Sequence, residues 1–161
     1  MKLDHLLRPD APWLQVLPGT ASEAADATYA LQRTSSMPVA ARLLRGRKMR
    51  TADRLFDEFA AALQFPPYFG ENWDALDECL ADLEWLAADA YVLVILDATQ
   101  VLEDKPEDRR LLAETLERVA REWGRPGNQA RPAKVFRVVV QCAPGEEAHV
   151  RAGWPAAASV R

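Results

Sequence analysis

Four carboxylates lie close together in the middle of the chain, where they could bind a cation or act as an acid and base. They are Asp74, Asp77, Glu78 and Asp82. On a helix, Asp74, Glu78 and Asp82 would form one column, because residues four apart are neighbours on the helix surface. Like charges at this spacing destabilise a helix by roughly a few tenths of a kcal/mol per pair. The column therefore carries a cost that a cationic partner could offset.

The acidic column has one structural interpretation, a solvated helix face, and three functional ones. It could bind a cationic protein surface, hold a divalent metal or supply a catalytic acid and base. A carboxylate metal site usually takes ligands from several elements, and a catalytic pair needs carboxyls in different environments. One exposed helix face offers little of either, so protein recognition fits best. A metal-dependent hydrolase that uses Asp74 and Glu78 remains as an alternative.

The charge distribution around the column is uneven. Twelve acids and no bases lie between Arg54 and Lys105, although the net charge of the chain is only −4. A segment of this kind repels itself unless a cationic partner or distant bases offset it. Just before it lies a basic group that we expect to be a solvated loop without direct contact to nucleic acid. Its members are Arg42, Arg45, Arg47, Lys48 and Arg50.

Length and composition favour one globular domain. The chain has 161 residues, of which 49% are hydrophobic and 27% charged. The N-terminus does not resemble a signal peptide, and residues 91–96, the longest apolar run, are too few to span a bilayer. We therefore expect a cytoplasmic protein with no membrane partner. In that reducing compartment Cys79 and Cys142 are expected to be free thiols. No pattern in the chain indicates a cofactor.

Hydrophobic periodicity predicts alternating strands and helices. The predicted strands are residues 39–45, 91–98 and 135–142. The predicted helices are residues 52–63, residues 73–83 and a long helix that starts near Pro106 and ends near Trp123. This order implies a small parallel sheet with helices packed on it. We expect residues 1–37 to form an N-terminal extension with an extra strand and a short helix, residues 38–142 the domain, and residues 143–161 a C-terminal tail.

The segment "FPPYFGENWDALDECL" resembles the signature of the barstar family of intracellular ribonuclease inhibitors. The shared pattern combines a proline, an aromatic pair, a Gly-Glu-Asn turn and Asp-Ala-Leu followed by an acid and Cys-Leu. By element order and weaker matches, the resemblance extends from about Val39 to Cys142. It implies an α/β fold in which a small three-stranded parallel sheet is flanked by helices.

The resemblance also implies a function without catalysis. Glu78 matches the family's central acid, which occupies the phosphate site of the ribonuclease, and Asp74 matches a second acid in that contact. Tyr68 matches an aromatic that packs on the enzyme. Glu122 aligns with an acid on the later helix. The chain is expected to be a monomer that forms a 1:1 complex with a basic extracellular-type ribonuclease or nuclease toxin.

Two further acids depart from the family pattern. Asp77 stands where the barstar prototype has a tryptophan, and Asp82 and Leu83 stand where it has a glycine and a second tryptophan. We include Asp77 and Asp82 in the expected partner-binding surface, which is then more acidic and less aromatic. These departures favour a target other than barnase itself. An interaction domain whose partner is not a nuclease remains a second alternative.

Overall fold

The computed structural model describes residues 1–127 and 132–154. Its sheet has four parallel strands in the order β1-β4-β3-β2. These strands are β1 (Leu14–Pro18), β2 (Val39–Arg45), β3 (Ala90–Leu96) and β4 (Val135–Cys142). The predicted α/β class and parallel sheet are confirmed, but the predicted count of three strands is wrong. The additional strand is β1, which pairs with β4 from residue Leu14 opposite Val138.

One helix follows each strand except β2, which is followed by two. The helices are α1 (Ala21–Thr34), α2 (Ala52–Leu63), α3 (Trp73–Asp82), α4 (Asp108–Gly124) and α5 (Glu147–Gly153). Three short 3-10 turns lie at Asp4–Leu7, Gly46–Lys48 and Ala98–Gln100. The bounds predicted for β2, α2 and β4 agree with the structure. β3 is shorter than predicted, because Asp97 adopts a left-handed backbone conformation with a φ of 50° and ends the strand.

Helices cover both faces of the sheet, which explains why β3 is apolar along its whole length. On one face, residues of α2, α3 and α4 such as Phe59, Leu80 and Leu116 pack in one core with Tyr91 and Phe136 of the sheet. Parallel strands with both faces covered need apolar side chains in both directions. The acidic residues of α3 must therefore lie on the side of that helix facing away from the sheet.

The N-terminal residues cover the second face. Leu6 and Leu31 are buried in a core with Val92 and Val94 of β3. The buried guanidinium of Arg137 on β4 donates hydrogen bonds to the carbonyl oxygens of Leu6, at 3.1 Å, and Arg8, at 2.9 Å. Burial lowers the pKa of Arg137 from its usual value. Residues 1–37 therefore contribute a strand to the sheet and a helix that covers its second face.

Residues 143–154 include α5, and the side chain of Trp154 is buried. The rest of the predicted tail, residues 155–161, lies outside the described residues. Cys79 and Cys142 are both buried free cysteines, as predicted. Among the described residues, no helix combines the length and the apolar character needed to cross a bilayer.

Candidate protein-binding site

The loop between α2 and α3 is held by a row of aromatic rings. The ring of Phe65 lies 4.9 Å from that of Phe69 and 6.0 Å from that of Trp85, measured between centroids, and both pairs are edge-to-face. The indole Nε1 of Trp85 donates a hydrogen bond to the carbonyl oxygen of Leu63 at 2.9 Å. Phe69 also contacts Phe56 of α2. The loop is therefore fixed from the end of α2 to the start of α3.

Tyr68 projects from this fixed loop into solvent. Its residue is 70% exposed, whereas its neighbour Phe69 is partly buried against the core. The pKa of the Tyr68 hydroxyl is raised, first by desolvation and then by the negative charge of Asp82. The loop that carries Tyr68 leads directly into α3, so the exposed ring lies close in the chain to the acids of that helix.

Asn72 fixes the start of α3. Its side-chain oxygen accepts a hydrogen bond from the backbone N–H of Ala75 at 2.8 Å, and its amide nitrogen donates to the carbonyl oxygen of Gly70 at 3.2 Å. The first contact caps the helix and the second ties the loop to the cap. Because Asp74 lies in the first turn, its charge is favoured by the helix dipole.

The two sides of α3 differ in exposure as its periodicity predicted. Leu76, Cys79 and Leu80 are buried against the core. Burial raises the pKa of the Cys79 thiol, and the nearby carboxylates of Asp82 and Glu78 raise it further. The column of Asp74, Glu78 and Asp82 is exposed. None of these three carboxylates makes a hydrogen bond or an ion pair with residues 1–127 or 132–154.

The remaining predicted residues meet at a groove between α3 and α4. This α3–α4 groove has a volume of about 250 Å³. Its lining residues are Asp77, Glu78, Ala81, Arg118, Val119 and Glu122. The Nε of Arg118 donates to Oδ2 of Asp77 at 3.2 Å. The structure therefore brings Glu122 of α4 beside Asp77 and Glu78 of α3, although Asp77 is already partnered.

A second, larger groove lies on the other side of Glu78. This Trp123 groove has a volume of about 710 Å³ and carries acidic side chains at its rim and rings at its base. Its lining includes Glu78, Asp82, Glu84, Tyr91, Trp123 and Lys134. The indole Nε1 of Trp123 donates to the carbonyl oxygen of Leu80 at 2.8 Å, which holds α4 against α3. Glu78 borders both grooves and is the most central of the predicted acids.

Three residues of this surface were absent from the sequence-based prediction. Arg118 and Lys134 place positive charge among the acids, and Trp85 supports the loop from a distance. Their roles depend on contacts between distant segments, which no local pattern announces. Within the described parts of the chain, no His, Cys, Asp and Glu side chains form a group of three or more that could hold a metal ion.

Comparison with known proteins agrees with this architecture. No curated protein matches the chain. The family model described as Barstar (barnase inhibitor) matches residues 39–141, which is more than half of the chain. The match runs from β2 almost to the end of β4 and includes α2, α3, α4 and both grooves. The chain therefore belongs to the Barstar (barnase inhibitor) family.

Proposed function

We propose that this protein inhibits a basic ribonuclease by covering its active site with α3 and the loop that precedes it. The observation that carries the proposal is the exposed column of Asp74, Glu78 and Asp82, which has no partner among the described residues. Membership of a family described as a barnase inhibitor supplies the kind of target. The proposal therefore pairs the exposed acidic column with a class of enzyme that has cationic side chains in its active site.

The charges of the column explain how such an inhibitor would compete with RNA. A ribonuclease must gather cationic side chains where it binds the phosphates of its substrate. Carboxylates of the inhibitor can occupy the same positions and form charge-assisted hydrogen bonds with those cations. Glu78 would take the central position, because it lies between the two grooves. Asp74 and Asp82 would bind on either side of it along the helix.

The exposed ring of Tyr68 would add contact area beside these charges. An exposed tyrosine on a fixed loop buries apolar surface at little cost in conformational entropy. Because the loop is braced by Phe65, Phe69 and Trp85, Tyr68 needs little reorganisation on binding. Asp77 and Glu122 would complete the contact at the α3–α4 groove.

The remaining expectations belong to the same proposal. We infer that the protein acts in the cytoplasm as a monomer that binds one ribonuclease or nuclease toxin, without a cofactor and without catalysis. The two buried free thiols are in keeping with a reducing compartment.

The test is an RNA-cleavage assay with barnase and related basic ribonucleases, in the presence and absence of the protein. We expect stoichiometric inhibition that weakens as salt is added, because screening reduces attraction between exposed charges. Glu78→Ala should weaken inhibition by about 2 kcal/mol, or roughly 30-fold in Kd, as truncation of a central interface residue does. Tyr68→Ala should also weaken inhibition without lowering the melting temperature.

Asp26→Ala is the matched control, because Asp26 is an exposed acid on α1, which packs on the other face of the sheet. It changes the net charge as Glu78→Ala does and should leave inhibition unchanged. Absence of inhibition by the wild-type protein against every ribonuclease would overturn the proposed function. Inhibition by Glu78→Ala equal to that of the wild type would remove Glu78 from the mechanism.

A further inference from the structure

Arg118 places a positive charge inside the acidic surface. Its Nε donates to Oδ2 of Asp77 at 3.2 Å, and its side chain is 58% exposed. A guanidinium carries five N–H donors. Within residues 1–127 and 132–154, the four donors on its two Nη atoms make no hydrogen bond to protein. These donors can therefore bind an acceptor on another molecule.

Glu78 consequently has a cation on each side of it. Arg118 shares the α3–α4 groove with Glu78, and Lys134 shares the Trp123 groove. The Nζ of Lys134 lies 5.6 Å from the centroid of the Trp123 ring and 5.9 Å from that of Tyr91. It forms no ion pair with the described carboxylates. The charge pattern across the surface is therefore positive, negative, positive and not uniformly negative.

This pattern restricts the partner that can cover the α3–α4 groove. A partner seated on Glu78 would remove water from the neighbouring Arg118. Guanidinium donors that lose water without gaining an acceptor weaken binding, and a cation placed opposite them weakens it further. Asp77 does not satisfy them in the structure, because its contact is with Nε. The partner must therefore bring an acceptor to Arg118.

We propose that Arg118 is a specificity-determining residue, which selects a ribonuclease that has a carboxylate beside the cation that binds Glu78. This inference rests on the proposed function and adds the charge pattern of the target. The carboxylate would pair with the Nη donors, which suit bidentate contact with its two oxygens. A ribonuclease with only cations around its active site would bind less tightly. Arg118 thus contributes repulsion against the wrong target as well as attraction to the right one.

The test measures Kd for a catalytically inactive form of the ribonuclease that the wild-type protein inhibits most strongly in the assay above. The variants are Arg118→Glu and the matched control Arg110→Glu, compared at one ionic strength. Arg110 also lies on α4 and pairs with a carboxylate, that of Glu114 at 3.0 Å, but it lines neither groove. We expect Arg118→Glu to raise Kd by tenfold or more and Arg110→Glu to change it by less than threefold.

The sign of the effect decides between the two kinds of target. If the ribonuclease is uniformly basic, the added negative charge of Arg118→Glu should preserve or tighten binding, and that result would overturn the inference while leaving the proposed function intact. Circular dichroism of both variants shows whether the fold is retained. A third variant, Arg118→Gln, keeps a donor without the charge and should give an intermediate Kd.

Reversal on the other protein supplies the second measurement. Acids near the ribonuclease active site are changed one at a time to lysine, and each variant is tested against Arg118→Glu. One of these charge reversals should restore at least a third of the binding free energy that Arg118→Glu loses. That reversal would identify the paired carboxylate. Failure of every reversal would contradict the inference. A wild-type protein that binds no ribonuclease would overturn the proposed function and, with it, this inference.

Discussion

Two glutamates on consecutive helices show opposite uses of a negative charge. Glu58 of α2 is only 7% exposed and accepts three hydrogen bonds from Arg45. The donors are the backbone N–H at 2.6 Å, Nε at 2.9 Å and Nη2 at 2.8 Å. Glu78 of α3 is exposed and has no such contact among the described residues. One charge is satisfied within the chain, and the other is exposed to solvent.

The difference follows from what each helix packs against. Glu58 reaches β2, which is an edge strand of the sheet. Its carboxylate binds the outward backbone N–H of Arg45, a group that an edge strand otherwise leaves open to another chain. Gln32 does the same for the N–H of Ala41 at 2.8 Å. Glu58 therefore protects the edge of the sheet, whereas the acids of α3 lie on the side of that helix facing away from the sheet.

Removal of the Glu58 carboxylate should separate the two uses most clearly. Glu58→Ala leaves the N–H and guanidinium of Arg45 without their acceptor, which should cost about 2–3 kcal/mol of unfolding free energy. For a chain of this size, Tm should fall by roughly 5–10 °C. Because Arg45 is half-exposed and can recover some hydration, we expect a value below that of a fully buried pair. Thermal and urea denaturation provide the measurement.

Glu58→Gln is the matched variant, since it keeps an acceptor for the Arg45 N–H but loses the charge. It should lose less stability than Glu58→Ala. Both variants, once folded, should inhibit the ribonuclease as the wild type does. Weakened inhibition by folded Glu58→Gln would show that Glu58, which stabilises the fold, also belongs to the binding surface. That result would contradict the division between charges that stabilise the fold and charges that bind a partner.

Substitution of the N-cap of α3 should reduce both the stability of the fold and the inhibition of the ribonuclease, each by a smaller amount. Asn72→Ala removes the cap of α3 and its link to Gly70, at a cost of about 1 kcal/mol in stability. It should also weaken inhibition, because the cap positions the first turn, with Asp74, against the loop that carries Tyr68. Thr51→Ala provides the comparison, since the Thr51 hydroxyl caps α2 through the N–H of Arg54.

Thr51→Ala should reduce stability by a similar amount and leave inhibition unchanged. Isothermal titration with the inhibited ribonuclease and urea denaturation measure the two effects separately. Equal affinities for the two cap variants would show that α3 is positioned by its packing and not by its cap.

Local patterns predicted most of the fold. The apolar run in β3 and the helical spacing in α2 and α3 each lie within one segment, so composition and periodicity identify them. The position of β1 in the sheet depends instead on pairing with β4, as in the hydrogen bond from the N–H of Val138 to the carbonyl oxygen of Trp13. A strand of five residues gives too weak a local signal to establish such distant pairing. The predicted count of three strands failed for this reason.

For the candidate site too, features within one helix were predicted, whereas contacts between helices were not. The exposure of Asp74, Glu78 and Asp82 follows from helical periodicity within α3, and the structure agrees with it. The pairing of Asp77 with Arg118 joins residues 41 positions apart in sequence. Such a contact depends on how α3 and α4 cross, so the sequence identified Asp77 as an acid without showing that it is partly neutralised.

The smallest effect we expect is on the pH dependence of stability. Burial alone would raise the pKa of Glu58, but the hydrogen bonds and positive charge of Arg45 outweigh it and hold the pKa below its usual value of 4.5. The unfolded chain therefore takes up this proton first as the pH falls. The stability from Glu58 is complete above pH 4.5 and is lost as the pH falls through the lower pKa of the folded state.

Urea denaturation from about pH 6 to about pH 3 should show the wild type and Glu58→Gln converging at the acidic end. Curves for the wild type and Glu58→Gln that stay parallel over this range would show that Arg45 does not stabilise the charged form.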